Sequence, residues 1–397
     1  MKKMILILLF IFWLFSLDAY AEDEFGAIDI HGFISQGYVG SDEYDFYLAD
    51  TSAGTFEFNE VGINFSTDMT DDLRLGMQFL ARDLGEIGND EVAIDWAYAD
   101  YRFRNWLGLI VGKVKKPVGL YNQSRDVDSA RTSIFLPAGF YNENFREAIL
   151  TTKGAGLYGT LPGHIDYIVI YGIFDVPLNG GITNRIDRMV SPLATVSVKV
   201  DPAVVGALYW DTPLDGLRLG AGGGTFNFTP TLSNSALSVS IPMQIKGVLV
   251  NGSIEYTYDN FIFTVEYMIQ NFRSYMSGIK QADDYVEDFY IMASYRFAPW
   301  FQLGSYFSWH FMDRDNRNGK KQEAFYRLTG GMTGYKFREE AWLKEFVLTA
   351  RFDILESWVL KLEGHLMNGL SDVPYDPNDR SPDLIWILYA AKLSYNF

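Results

Sequence analysis

The chain has no cysteine, which excludes disulfides and thiolate metal sites. Base is in short supply: 33 Lys and Arg stand against 50 Asp and Glu, a formal charge of −17. Binding to nucleic acid needs the opposite balance, so that class of partner is set aside. The four histidines, His31, His164, His310 and His365, are too far apart for a local metal-ligand spacing. There is no Gly-x-Ser-x-Gly nucleophile motif, and acidic pairs such as Asp283-Asp284 and Glu339-Glu340 read as solvated loop charge, so an enzyme is not expected. Long hydrophobic runs are also missing. The one unbroken run is Met4 to Phe15, and nothing later approaches the about 18 apolar residues of a spanning helix. If the chain enters a membrane it must do so as a closed barrel, because lipid cannot satisfy open backbone groups.

The early apolar run follows Lys2 and Lys3 and precedes Asp18-Ala19-Tyr20-Ala21. This is the layout of an exported chain's signal peptide, residues 1–21, with the mature chain starting at Glu22. The remainder, 22–397, shows no internal repeat and no linker and is expected to be one domain.

Aromatic residues are abundant at 16%, including 25 Tyr and 30 Phe, while mean hydropathy is only −0.02. Apolar and polar residues alternate in many segments, the period of a strand with two unlike faces. In 261–272, Phe261, Phe263, Val265, Tyr267 and Ile269 oppose Thr264, Glu266 and Gln270. In 358–368, Trp358, Leu360, Leu362 and Leu366 oppose Lys361, Glu363 and His365. Sixteen strands are predicted: 28–40, 56–67, 72–82, 92–104, 107–114, 154–161, 164–174, 204–211, 216–229, 242–259, 261–272, 285–298, 301–312, 345–355, 358–368 and 384–397. The segments 56–67 and 92–104 switch parity midway, as a bulge or a protein-covered stretch would cause.

Short connections, such as 105–106 and 259–260, alternate with long polar ones throughout. That is the rhythm of an up-and-down antiparallel barrel with short turns at one rim and long loops at the other. The last segment ends on Phe397, with Tyr389, Ala391, Leu393 and Tyr395 on the same face. It resembles the closing strand of a bacterial outer-membrane β-barrel. A secreted β-sandwich or β-helix would alternate too, with its apolar face packed inward.

The longest connection, 115–153, is too apolar for a disordered loop: Val127, Ile134, Phe135, Leu136, Phe140 and Tyr141 need something to pack on. In a barrel the place available is the bore. The strand ending Gly112-Lys113, then Lys115 or Lys116-Pro117-x-Gly119-Leu120, scattered arginines and Leu136-Pro137, resembles the porin superfamily that includes the phosphate-selective porins. The resemblance implies a sixteen-stranded transmembrane barrel, a third loop folded inward as the constriction, and a homotrimer in the outer membrane. The dense basic ladder of the phosphate-selective members is missing, so phosphate selectivity is not implied.

The loop carries six bases, Lys115, Lys116, Arg125, Arg131, Arg146 and Lys153, and four acids, Asp126, Asp128, Glu143 and Glu147. Fixed charge in a narrow constriction selects ions. The candidate constriction residues are Lys113, Lys115, Lys116, Arg125, Asp126, Asp128, Arg131 and Arg146, with Arg74, Arg82 and Arg102 on the facing wall. The plain alternative is that these charges pair and pin the loop. Gly220 to Gly224 lacks the Lys-Ser/Thr of a phosphate loop and reads as small residues beside the bore. Asp313 to Gly319 only partly matches a calcium loop, and no metal or cofactor is expected.

The expected function is a passive channel for small hydrophilic solutes or ions. Its partners would be outer-membrane lipid, lipopolysaccharide and the permeating solutes, with the acidic stretches 41–55 and 83–91 at the outer rim. Two alternatives stay open: a substrate-specific channel for a sugar or organic anion, with Tyr121, Tyr141, Phe140, Tyr290 and Tyr306 as an aromatic track, and a non-conducting structural or adhesive barrel.

Overall fold

A computed structural model describes residues 27–47, 49–234, 239–329, 334–375 and 381–397. The predicted signal peptide, 1–21, and the start at Glu22 lie outside them. The strands are β1 (Asp29–Ser41), β2 (Phe58–Thr70), β3 (Leu73–Leu84), β4 (Ala93–Arg104), β5 (Leu107–Lys115), β6 (Thr151–Leu161), β7 (Ile165–Ile173), β8 (Ala194–Asp201) and β9 (Ala203–Asp211). They continue with β10 (Leu217–Asn234), β11 (Val239–Tyr258), β12 (Phe261–Met276), β13 (Ile279–Ala298), β14 (Phe301–Phe311), β15 (Trp342–Leu355), β16 (Trp358–Gly369) and β17 (Ile385–Asn396). Among the described residues three α-helices lie in connections: α1 (Arg146–Leu150), α2 (Gly181–Val190) and α3 (Lys320–Leu328).

Every pairing is antiparallel, and β1 pairs with both β2 and β17, so the sheet closes on itself. β8 and β9 run end to end along β10, β8 beside its outer half and β9 beside its inner half. They are one stave interrupted at Pro202, whose missing N–H breaks the ladder. The barrel is therefore sixteen-stranded. The segment expected over 204–211 is longer than predicted, because the proline hid its outer half, 194–201.

Alternation decides which face looks where. On β16 and β15, Leu362 is 45% and Leu348 58% exposed, while Lys361, Glu363 and Glu345 are buried. On β17, Tyr389 and Leu393 face out and Lys392 and Ser394 face in. The large apolar side chains thus form the outer surface, which overturns the sandwich arrangement. Aromatics crowd the rim with the short turns: Phe103, Trp106, Tyr258, Phe297, Trp300 and Phe397 are all exposed there. Among the described residues no helix is long and apolar enough to cross a membrane.

Both parity switches have a local cause. In β2 the ladder is unbroken from Phe58 through Thr67, and Phe58 faces inward because the loop covers it; its ring stacks on Phe135 at 5.1 Å. In β4 the register slips opposite Gln78 and Phe79. Asp95 is the extra residue, and the bulge turns its carboxylate into the barrel.

Candidate functional site

The connection 116–150, called the inner loop here, passes through the barrel. β5 ends at Lys115 because Pro117 cannot continue a ladder. Gly119 then takes φ 65°, where a side chain would strike the Tyr141 hydroxyl. Asn122 ties the two ends of the loop together, donating to the carbonyls of Lys116 at 2.9 Å and Leu150 at 3.3 Å.

Three wall glutamates hold the loop by its backbone. Glu266 on β12 accepts from the N–H of Leu120 at 3.0 Å, and the hydroxyls of Tyr141, Tyr290 and Ser253 donate to it as well. Glu363 on β16 accepts from the N–H groups of Ile134 at 2.7 Å and Phe135 at 3.0 Å. Glu345 on β15 accepts from the N–H of Ala138 at 3.0 Å. Wall cations grip the carbonyls. Arg351 donates to Ser129 and Arg131 at 2.8 and 2.9 Å, and Lys361 to Asp128 and Ser133 at 2.8 and 3.0 Å. The apolar residues of the loop find their packing on the same wall: Ile134, Phe135, Leu136, Phe140 and Tyr141 are buried. Val127 was expected among them but is exposed, because it sits at a turn between the two charged stretches.

The charges converge on β2 to β4 and β17. Arg146 forks onto Asp95 with bonds of 2.7 and 2.9 Å. Arg82 reaches Glu143 at 3.2 Å and Glu147 at 2.9 Å. Arg125 meets Glu143 at 2.6 Å and the Tyr141 carbonyl at 2.9 Å, and its Nε and Nη1 have no acceptor among the described residues. Asp126 lies between Lys115 at 2.6 Å and Gln78 at 2.8 Å. Asp128 takes Lys392 at 2.8 Å, Arg131 at 3.1 Å and the Ser394 hydroxyl at 2.7 Å. Burial works to raise the Glu143 carboxyl; Arg125 and then Arg82 outweigh it and hold it at about 2. Asp128 is likewise driven below its ordinary value, against its burial, by Lys392, Lys361 and Arg131.

Beside the loop lies a polar gap of about 20 Å³, and a larger pocket of about 390 Å³ shares its Arg82 and Arg146. The charged lining of the gap is Arg82, Arg125, Arg131, Arg146 and Lys392 against Glu60, Asp83, Asp126 and Glu143. About 10–15 Å³ of such space holds one water, so this gap has room for little more than one.

Of the predicted constriction residues, the gap gathers Arg82, Arg125, Asp126, Arg131 and Arg146. Lys115 and Asp128 stand behind it as partners of Asp126 and of Lys392. The other positions fall elsewhere. Arg74 and Arg102 are on the inner face but near the short-turn rim, where Arg74 is 3.9 Å from Asp68 and Arg102 lies over the Tyr158 ring. Lys113 alternates away from the bore and donates to the Ile94 carbonyl at 2.7 Å. Lys116 faces a different chamber. The charges mostly pair, so the pinning alternative describes their contacts well.

The aromatic track does not form. Tyr141, Phe140, Tyr290 and Tyr306 are buried, and Tyr121 is half-buried with its hydroxyl on Glu255 and Thr264. His365, on the inward face of β16, is buried between Glu363 at 3.0 Å and Glu345 at 3.3 Å, with the Phe135 ring of the loop 6.1 Å away. His310 sits 2.6 Å from Asp288. Gly220, Gly222 and Gly224 line the inner face of β10, as the small-residue reading required. Among the described residues no group of three or more His, Asp or Glu is placed to hold a metal.

Sequence reasoning missed the anchors Glu266, Glu345, Glu363, Arg351, Lys361 and Lys392. Each lies on the polar parity of its strand, and that was the available signal; which loop atom each would meet is not local information.

Above the inner loop, on the long-loop side, lies a second chamber of about 360 Å³. Its walls are the outer inward faces of β10 to β13, with α2 over it.

No family model matches the sequence, and no curated protein matches it. Solved structures do match in fold. Outer-membrane expressed OmpT of Vibrio cholerae superposes with a TM-score of 0.59 over 95% of this chain and 99% of that one, at 11% identity; one form of it is described as a trimer. The outer membrane channel DcaP of Acinetobacter baumannii gives 0.56, covering 96% and 100% at 12% identity. An anion-selective porin from Comamonas acidovorans gives 0.54, covering 94% and 100% at 10% identity. The architecture is that of the outer-membrane porin barrels.

Proposed function

We propose that the chain is a passive outer-membrane channel of narrow bore, admitting ions and small hydrophilic solutes. The observation that carries this is the inner loop: it crosses the barrel, is fastened to β12 through Glu266 and across the bore to β4 through Asp95, and leaves a charged gap beside β2 and β3. A hydrophobic outer surface with an aromatic rim supports placement in a bilayer. Export by the signal peptide and cleavage before Glu22, contact with lipopolysaccharide at the acidic rim, and a homotrimer belong to the same reading.

Five cations face four carboxylates across the gap, so selectivity between ions is expected to be weak and tilted toward anions. Arg125, with two nitrogens lacking acceptors among the described residues, lines the gap and is the residue proposed to meet a passing anion. Single-channel recording in asymmetric salt tests the proposal. Small steps are expected, and neutralising Arg125 and Arg131 together to Gln should move the reversal potential toward cations. A folded protein that gives no steps would mark a non-conducting barrel, and steps with an unmoved reversal potential would remove both arginines from the ion path.

A further inference from the structure

The chamber beside β10 to β13 is unlike the gap beside β2 and β3. Its wall is largely hydrocarbon: Phe226 on β10, Met243 and Ile245 on β11, Phe272 on β12, and Phe174 beyond β7. α2 supplies Ile182 and Ile186 from one face, and Met189 stands exposed at the rim, so the chamber is reachable from the long-loop side. Part of that surface packs α2, whose Ile186 joins Phe174, Phe228 and Met243 in one cluster, and the remainder lines open space. At about 360 Å³ the chamber falls in the range of small-molecule sites, roughly 300–1,000 Å³, which are typically apolar with few polar groups.

One polar group stands out. Lys116, where the inner loop begins, is buried and lines this chamber. Its ammonium donates to the Ala148 carbonyl and lies 4.6 Å from the centre of the Phe174 ring. No carboxylate pairs with it among the described residues. An ammonium has three donors, so the carbonyl leaves two to spare. Burial pushes this amine down to about 7, and a bound anion would restore its charge. The other ionisable groups at the chamber are committed or offset. Arg185 pairs with Asp372 at 3.1 Å, His310 with Asp288 at 2.6 Å, and Arg273 and Asp284 face the space from neighbouring strands.

We infer that the upper chamber binds an amphipathic monocarboxylate, its hydrocarbon body among the apolar side chains and its carboxylate accepting from the Lys116 ammonium. Such a ligand explains both features together: an apolar solute alone would not use the lysine, and a hydrophilic anion would not use the walls. Binding itself does not depend on the channel reading; only onward passage of the ligand rests on it.

Equilibrium dialysis of octanoate against the protein in lipid nanodiscs, with empty nanodiscs as blank, tests the inference. Saturable binding is expected for octanoate, binding about tenfold weaker for 1-octanol, and none for acetate. Lys116→Met should weaken octanoate by about tenfold and leave octanol unchanged. Ala282→Trp, which fills the chamber from the outer end of β13, should abolish both and carries the test if Lys116→Met does not fold. Absence of saturable octanoate binding overturns the inference, and so does equal octanoate affinity in wild type and Lys116→Met. Current steps without octanoate binding would sink this site and leave the channel standing. Octanoate binding without steps would do the reverse.

Discussion

Asp128→Asn should release the inner loop. Asp128 is buried and lies where the loop meets β16 and β17, with Lys392, Arg131 and Ser394 at 2.8, 3.1 and 2.7 Å and Lys361 at 3.8 Å. Asparagine keeps the shape and removes the charge. Breaking a buried ion cluster by deleting one partner costs about 3–5 kcal/mol, because the remaining charges are left uncompensated. Here Lys392 keeps Glu60 at 2.5 Å, and Lys361 keeps two carbonyls at 2.8 and 3.0 Å. The lower end, about 3 kcal/mol, therefore applies, and at about 1.4 kcal/mol per tenfold the detached loop should become about a hundredfold more populated. The cysteine-free chain offers a direct readout. Ser133→Cys replaces a buried hydroxyl that has no partner among the described residues, so the substitution removes no hydrogen bond seen there. Its labelling by a water-soluble maleimide reports loop detachment. The labelling rate should rise about a hundredfold when Asp128→Asn is added. An unchanged rate in a correctly folded double variant would refute the idea that Asp128 holds the loop.

Acid should act on the same loop through a second cluster, Glu143 with Arg125 and Arg82. The Glu143 carboxyl, at about 2, lies below the about 4.3 of a free glutamate, so its ionic contribution is complete above the free value and is lost as pH falls toward about 2. Larger current levels should therefore appear between about pH 4 and 2 and not between about 8 and 5; opening that begins near neutrality would implicate another group. On the outer surface, Leu348 is 58% exposed in mid-strand, and Leu348→Arg should cost about 2–4 kcal/mol in denaturant unfolding from liposomes. A cost within about 0.5 kcal/mol, typical of a wet surface site, would sink the lipid-facing assignment.

The barrel was legible because each of its parts is local. Alternation in 261–272 and 358–368 marks strands without knowledge of their neighbours, and Asp259-Asn260 marks a tight turn by itself. Where a local signal failed, a tertiary contact had overridden it. Phe58 turned inward because Phe135 covers it, and Pro202 hid the outer half of a stave whose two halves both pair with β10. The site was legible only as composition. The charges of 115–153 announced a charged constriction, but Arg74 and Arg102 were assigned to it from parity alone, and parity does not report height along the barrel.

The sequence by itself determined the closed sheet, its strand number, its rhythm of turns and the inward course of the long loop, since period, turn residues and an apolar loop with nowhere else to pack are properties of neighbouring residues. Only the tertiary structure decided how open the bore is. Glu266, Glu345 and Glu363 meet the backbone of the loop from strands more than a hundred residues away, and such pairings exist only once the barrel has closed. Closure also gathers charges into a tight polar gap beside β2 and β3 and leaves Lys116 facing hydrocarbon beside β10 to β13.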